Sequence, residues 1–525
     1  MTPSKKIREL YAEGYQLTPE AFEYLNNLPE IERVINKILT SNLNKAILSV
    51  QDIDELLEED FIKKDDITEQ SPLEKEEIIP VEQELPRIEE KKEVLEEEVK
   101  TEVKIETKLR KEKVSPDLEI IFSPEVKKTV ASSKSFQDYF ESRFQSIHQL
   151  FSKRRDITNR ISTKDLIPNR NKDKISLIAM VTKIHKTRKG TVILDLEDKS
   201  GIITGIIHSK KQDLISKSEF ILEDSVLCFT GNWWKDILSV DDILWPDIPF
   251  HKSNFAYDDV YALFISDIHV GSKNFAEDLF LRAIKFVNGK LESDKYNKIG
   301  KKIKYLLVGG DVVDGVGIYP GQIEDLEQDS IHLQYQTAAN YFEKIRDDVE
   351  IIIIPGNHDA ARAAEPQTPI HRDFAPDLYG FDNIHLLGSP CYLKAHNVEI
   401  MMHHGNSILD INAAIPAISH ETSIPAMVRM LENRHIVPIY GRRTPIAPES
   451  EDRLFISRIP DIFQTGHTHI AGDETYKGVT LLNSGTFQYQ TSYQKSMNIN
   501  PTTGQTYIIN LKLLQRTQVD FHKMS

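Results

Sequence analysis

Five short motifs, set in order beside strand-like apolar runs, constrain this chain of 525 residues more than any other feature. They read Asp267-Ile-His269, Gly310-Asp311-Val-Val-Asp314, Gly356-Asn357-His358-Asp359, His403-His404-Gly405 and Gly466-His467-Thr-His469. The apolar runs Val260 to Ile265, Tyr305 to Val308, Glu350 to Ile354 and Val398 to Met402 alternate with helical patterns around 275–290 and 329–348. That alternation predicts an α/β chain with a layered sheet. The motifs fall at the C-terminal ends of the strands, where such folds gather their sites. Each motif ends in hard oxygen or imidazole donors, which suit a pair of divalent cations and the hydrolysis of phosphate esters. Taken singly, Asp-x-His and Gly-Asp-x-x-Asp are weak signals, because turns after strands favour Gly and Asp for backbone reasons. Gly-Asn-His-Asp is stronger, expected in roughly a few in a thousand chains of this length.

The net charge of −16 argues against a nucleic-acid substrate until it is located. Residues 52–107 hold 22 acidic and 8 basic side chains, a balance of −14 that leaves −2 for everything else. Acidity therefore describes one segment, and DNA stays open as a substrate. The length predicts several domains. Residues 1–51 read as a small helical domain, opened by Thr18-Pro19-Glu20 and striped by Phe22, Leu25, Leu28, Ile31, Val34, Ile35 and Ile38, either a docking module or an appendage. Residues 52–134 read as an acidic disordered linker with a transient helix across 87–106. The span 135–250 reads as a helix, striped by Phe136, Phe140, Phe144, Ile147 and Leu150, followed by a β barrel of the OB type. Trp233 and Trp234 there either stack on bases or pack, one inward and one on a neighbouring domain. The rest, 251–525, is the α/β domain with the motifs. Cys228 and Cys391 lie in apolar stretches and read as buried free thiols. No apolar run approaches a membrane span and no signal-peptide core follows Met1, so a cytoplasmic protein is expected.

The order and content of the motifs resemble the calcineurin-like metallophosphoesterases. The resemblance implies a two-sheet α/β sandwich with a dinuclear centre. Asp267, His269, Asp311 and His469 would hold one metal, and Asp311 would bridge to a second completed by Asn357, His404 and His467. His403 and His404 are strand neighbours that point to opposite faces, and the family pattern puts the ligand before glycine, hence His404. His358 would face the substrate and either protonate the leaving oxygen or steady developing charge, with Asp314 as its orienting partner unless Asp314 is a plain turn residue. Asp359 would cap a helix through Ala360 to Ala364.

Further residues narrow the likeness: Gly315-Val-Gly-Ile-Tyr319-Pro-Gly-Gln322, Gln334-Tyr335, His404-Gly405-Asn-Ser407, Pro438 to Pro448, and Pro460-Asp-Ile-Phe463. With the barrel in front, they look like the small subunits of archaeal family D DNA polymerases, over about residues 135–515. That resemblance implies a 3′→5′ exonuclease with two divalent metal ions, manganese or magnesium. It implies DNA as substrate and a large polymerase subunit as partner in a heterodimer or heterotetramer. A sliding clamp or primase would meet the N-terminal region. Arg442, Arg443 and Arg453 are candidates for the DNA backbone or for ordinary ion pairs, and Tyr319, Phe487 and Tyr489 for stacking or for the core. Two other readings stay open: a different nuclease or phosphatase of the superfamily, and a non-catalytic assembly subunit.

Overall fold

The structure is a computed structural model that describes residues 114–125, 131–166, 172–419 and 422–524, together with short stretches between 16 and 53. The chain divides into two units, residues 1–114 and 115–525. In the first, Ala21 N–H donates to Thr18 Oγ1 at 3.2 Å, the hydroxyl cap expected there. The helix Ile31–Thr40 buries Val34, Ile35 and Ile38. The unit is not purely helical, because β1 (Gln16–Leu17) pairs in parallel with β2 (Ile47–Leu48). Phe22, Leu28 and residues 54–113, including the 87–106 segment, lie outside the described residues.

The second unit begins with a correction. Leu118–Phe122, read as part of the linker, is a strand, β3, paired antiparallel at the edge of a large sheet. Its Leu-Glu-Ile-Ile-Phe sequence has strand character, but the acidic run before it hid the change. The helix Ser133–Ser152 follows, started by a Ser132–Ser135 capping box. It buries Tyr139, Arg143, Ile147 and Phe151 and leaves the expected Phe136, Phe140 and Phe144 only partly covered. The buried stripe is rotated because a charged residue lies on it. Arg143 Nε meets Asp452 Oδ2 at 3.0 Å, Nη1 donates to the Pro438 carbonyl at 3.1 Å, and Asp452 also accepts from Tyr139 at 2.9 Å. A buried, fully bonded pair like this fixes position more than it stabilises. It pins the helix to the segment that leads into the last motif.

The barrel comprises β4 (Arg160–Ile161), β5 (Lys172–Lys186), β6 (Val192–Asp198), β7 (Gly201–Ile207), β8 (Val226–Trp234) and β9 (Ile237–Leu244). Five strands close in the order β5-β6-β7-β9-β8, with β8 back on β5, and β4 adds at the side. Only β7–β9 is parallel within the ring, and the helix Gln212–Ser218 connects β7 to β8. Alternate residues such as Ile175, Leu177, Ala179 and Val181 fill the interior. Trp233 is buried in that core, whereas Trp234 is 54% exposed with the Lys235 ammonium 4.2 Å from its ring. Trp234 thus stays more than half in solvent beside that cation.

The remainder is two six-stranded sheets. The first carries β10 (Tyr261–Ile265), β11 (Ile303–Val308), β12 (Glu350–Ile353) and β13 (Ile384–Leu386) in parallel. The second carries β14 (Cys391–Ala395), β15 (Val398–Met402), β16 (Ile462–Thr465), β17 (Gly472–Tyr476) and β18 (Val479–Asn483), with β3 beyond β14. The last strands, β19 (Gln505–Asn510) and β20 (Gln515–Asp520), return antiparallel beside β10 in the first sheet. The central strands are buried throughout, hence their near-continuous apolar sequences. Helices Ile408–Ala414 and Ile424–Asn433 pack Ile411, Met427 and Met430 with Met401, Phe463 and Leu481 of the second sheet. The Gln464 amide crosses between the sheets to the Ile265 carbonyl at 3.0 Å. Cys228 and Cys391 are buried free thiols, and among the described residues no helix is long and apolar enough to cross a membrane.

Candidate metal centre

The five motifs follow the C-terminal ends of β10, β11 and β12 in one sheet and of β15 and β16 in the other. Backbone bonds lace the loops together: Asp267 N–H to Gly310 O at 2.9 Å, His269 N–H to Asp311 O at 3.1 Å, and Gly466 N–H to His404 O at 2.7 Å. Asp267, His269, Asp311, His467 and His469 all have left-handed backbone, with φ of 52°, 55°, 50°, 69° and 60°. Each such residue costs about 1–2 kcal/mol relative to the right-handed form. Five together mark a place where the surroundings over-determine the chain, as at functional sites. Gly356 and Gly466 are required by close approach, since a Cβ on either would collide with the Asp311 or Asp267 carboxylate.

All seven expected ligands come together. Asp267, His269 and His469 bring one donor atom each within 4.8 Å of one another, and so do Asp311, His404 and His467. His269 Nε2 faces His469 Nε2 at 3.1 Å, and His469 Nε2 lies 3.3 Å from Asp267 Oδ1. His404 Nε2 lies 3.3 Å from Asp311 Oδ2 and 3.1 Å from Asn357 Oδ1. Asp311 Oδ2 is also 3.8 Å from His269 Nε2, which places its carboxylate between the clusters. Adjacent ligands of a cation at about 2.1–2.2 Å stand about 3 Å apart, so these spacings fit.

The proton inventory points the same way. His404 Nδ1 lies 2.8 Å from the Gly309 carbonyl, which can only accept, so that nitrogen carries the proton. Its Nε2 is then a lone pair aimed at two further acceptors, an arrangement that needs positive charge. Burial alone would depress His404, but Asp311 and Asp267 beside it push it up to about 10. Burial works to raise Asp311, yet the imidazoles of His404, His358 and His269 hold it well below the usual carboxylate range. Burial and the neighbouring His404 push His467 down to about 3, which keeps its lone pair free.

Two readings of the third motif change. His358 Nδ1 meets the backbone carbonyl of Asp314 at 2.7 Å, not its carboxylate. The carboxylate instead orients His269, with Oδ1 2.9 Å from its Nδ1, and accepts from Gln488 at 2.9 Å. Asp359 caps no helix, since residues 360–364 are irregular. It is drawn inward to accept from Gly356 N–H at 2.9 Å and Tyr335 OH at 3.0 Å, and burial with Asp311's charge pushes it up to about 6. His403 turns away from the centre to Ser389 Oγ at 3.1 Å.

Several holding residues carried no motif. Gln494 contacts His469 Nδ1 at 2.7 Å, and Gln322 donates to the Asp314 carbonyl at 2.8 Å. A glutamine in a polar loop gives no sequence signal of that kind, although Gln322 and Gln334 stood in the resemblance. Of the candidates for DNA contact, Arg442 is exposed and 3.4 Å from Glu223, and Arg443 is exposed on the same loop. Tyr319 is half-buried, Tyr489 is 42% exposed, and Phe487 is buried against Phe280 and Phe521. Arg453 pairs with Glu449 and Glu451.

Glu365 lies fully buried near His404, with Oε1 accepting from Asn406 at 2.8 Å and Oε2 without a partner among the described residues. Burial pushes it from its ordinary value near 4.5 up to about 7, despite Asn406 and His404. The folded chain therefore keeps a proton that the unfolded chain loses. Stability falls as pH rises from about 4.5 to about 7 and stays lower above that. In the metal-free chain, Glu365→Gln should remove this slope and raise stability at pH 8 by on the order of 2–3 kcal/mol. Urea melts of both proteins across pH 4–8 measure it, and an unchanged slope in the variant rejects the assignment.

A family model for the B-type subunits of DNA polymerases alpha and epsilon matches residues 262–471. A DNA polymerase II small subunit from Methanothermobacter thermautotrophicus is 41% identical over 380 residues, 72% of this chain and 78% of that one. One from Methanocaldococcus jannaschii is 38% identical over 380 residues, 72% of this chain and 64% of its own length. One from Archaeoglobus fulgidus is 36% identical over 372 residues, 71% and 74% of the two chains. A solved phosphoesterase from E. coli is 14% identical and covers 50% of this chain and 100% of its own, with a TM-score of 0.24.

Proposed function

This chain belongs to the family of DNA polymerase II small subunits, and from that membership we propose that it proofreads for a two-chain DNA polymerase by hydrolysing phosphodiesters at DNA 3′ ends. A large partner chain carries nucleotide polymerisation. The observation that carries the nuclease reading is the pair of donor clusters sharing Asp311. Asp267, His269, Asp311 and His469 would hold one divalent cation, manganese or magnesium. Asp311, Asn357, His404 and His467 would hold the other. When bound, such a pair neutralises phosphate charge and lowers the pKa of a water used as nucleophile. The two sheets are read as a calcineurin-like sandwich. The barrel is read as OB-type, a reading that its ring of five strands supports.

The chain's own contribution centres on His358. With Nδ1 held by the Asp314 carbonyl, the ring presents Nε2, and its backbone N–H donates to Asp311 Oδ1 at 2.8 Å. From there a protonated Nε2 gives its proton to the leaving 3′ oxygen. Asp314 positions His269, and Gln494 positions His469. DNA, and a sliding clamp or primase at the N-terminal region, complete the proposed partners.

The test is an assay of the full chain, alone and with the large chain, on single-stranded and mismatched DNA. Manganese-dependent release of mononucleotides from 3′ ends is expected. Phosphopeptides and cyclic nucleotides run beside it separate this reading from another phosphoesterase. Copurification with the large chain but no nuclease signal in manganese would leave an assembly subunit.

A further inference from the structure

The metal cluster does not account for the aromatic and apolar side chains left in solvent around it. Tyr319 and Tyr493 stack with ring centroids 6.2 Å apart and planes 25° from parallel. Tyr493 is 56% exposed, and Val316, Ile318, Ile323 and Met497 of the same two loops are exposed too. Single exposed apolar residues are ordinary, but several of them on two segments joined by a ring contact and tied to a polar cluster call for a partner.

Each ring is tied to one side of the cluster. Tyr493 precedes Gln494, whose amide contacts His469, and a Thr491–Gln494 capping box fixes that turn. On the other side, Ile318 N–H donates to Gln322 Oε1 at 2.8 Å, and Gln322 donates to the Asp314 carbonyl that also receives His358. Tyr319 OH donates to Asp325 Oδ2 at 3.0 Å. The side chains that aim the candidate ligands therefore also place the two rings.

We propose that Tyr319 and Tyr493 form a nucleobase clamp, a subsite of this centre that stacks the unpaired terminal base of a single strand. The proposal rests on the nuclease reading and adds its substrate preference. A paired base has its faces covered by neighbours and its edge by its complement; a frayed one offers a free π face. Stacking accepts every base, as removal of any mismatch requires. The Tyr319 hydroxyl is already engaged by Asp325, so the clamp reads flatness and not sequence.

The probe is a single-stranded oligonucleotide ending in 2-aminopurine, bound to the full chain in EDTA. Stacking quenches its fluorescence. The Tyr319→Ala/Tyr493→Ala double variant should lose the quench and bind about tenfold more weakly or worse; Tyr493→Phe should keep both. In manganese, the preference for mismatched over matched 3′ ends should shrink in the double variant, mainly through KM. An unchanged quench and preference there overturns the clamp. Quenching by a wild-type chain that hydrolyses no strand supports the clamp and rejects the nuclease; hydrolysis without quenching rejects the clamp alone.

Discussion

Asp311→Asn should lower 3′-end hydrolysis by roughly 10³-fold or more and reduce bound manganese from two ions per chain to one at most. The carboxylate stands between both clusters, 3.3 Å from His404 Nε2 and 3.8 Å from His269 Nε2. Asparagine keeps the shape and can still accept the His358 N–H, so the fold should survive. It cannot supply the negative charge that two cations share. Calorimetric titration and metal analysis read the stoichiometry directly. Thermal melts give an independent measure: a ligand at 100 times its Kd stabilises by about 2.7 kcal/mol, and the variant should lose most of that gain. A variant that keeps both ions and full activity rejects the shared carboxylate.

His358→Ala should lower kcat by about 10²–10⁴-fold, the usual weight of one acid–base group, while both ions stay bound. The ring is anchored on a peptide carbonyl and packs edge-on to His269 at 4.7 Å. It also brings a nitrogen within 4.8 Å of donors of His269 and Asp311, but the family resemblance reads it as facing the substrate and not as a ligand. His404→Ala is the contrast, since it should lose metal and activity together. Retained activity in His358→Ala, or loss of metal with it, would remove His358 from the catalytic role.

Much of this architecture was legible because the relevant signals are local. Apolar runs announced β10, β11, β12 and β15. Adjacency on a strand showed that only one of His403 and His404 can face the centre, and the family resemblance, not the spacing, chose His404. Contacts made through the backbone were not legible. Sequence cannot tell whether His358 reaches Asp314 by its carboxylate or by its peptide oxygen, and the two assign different work to that acid. Asp359 resembles a helix cap until Tyr335 and Gly356 draw it inward. The stripe of Ser133–Ser152 was misplaced because burying Arg143 contradicts its charge, and only Asp452, distant in sequence, makes that burial tolerable. The five left-handed residues could not be placed from sequence, because aspartate and histidine are enriched at positive φ yet still adopt it only in a small minority of positions.

The strand ends that supply the donors belong to separate leaves of the sandwich. Asp267, His269, Asp311 and Asn357 rise from one sheet, and His404, His467 and His469 from the other. An ion held there, as proposed, would be a rivet through the seam as well as a reagent. Its removal would then loosen the joint between the two sheets along with any chemistry.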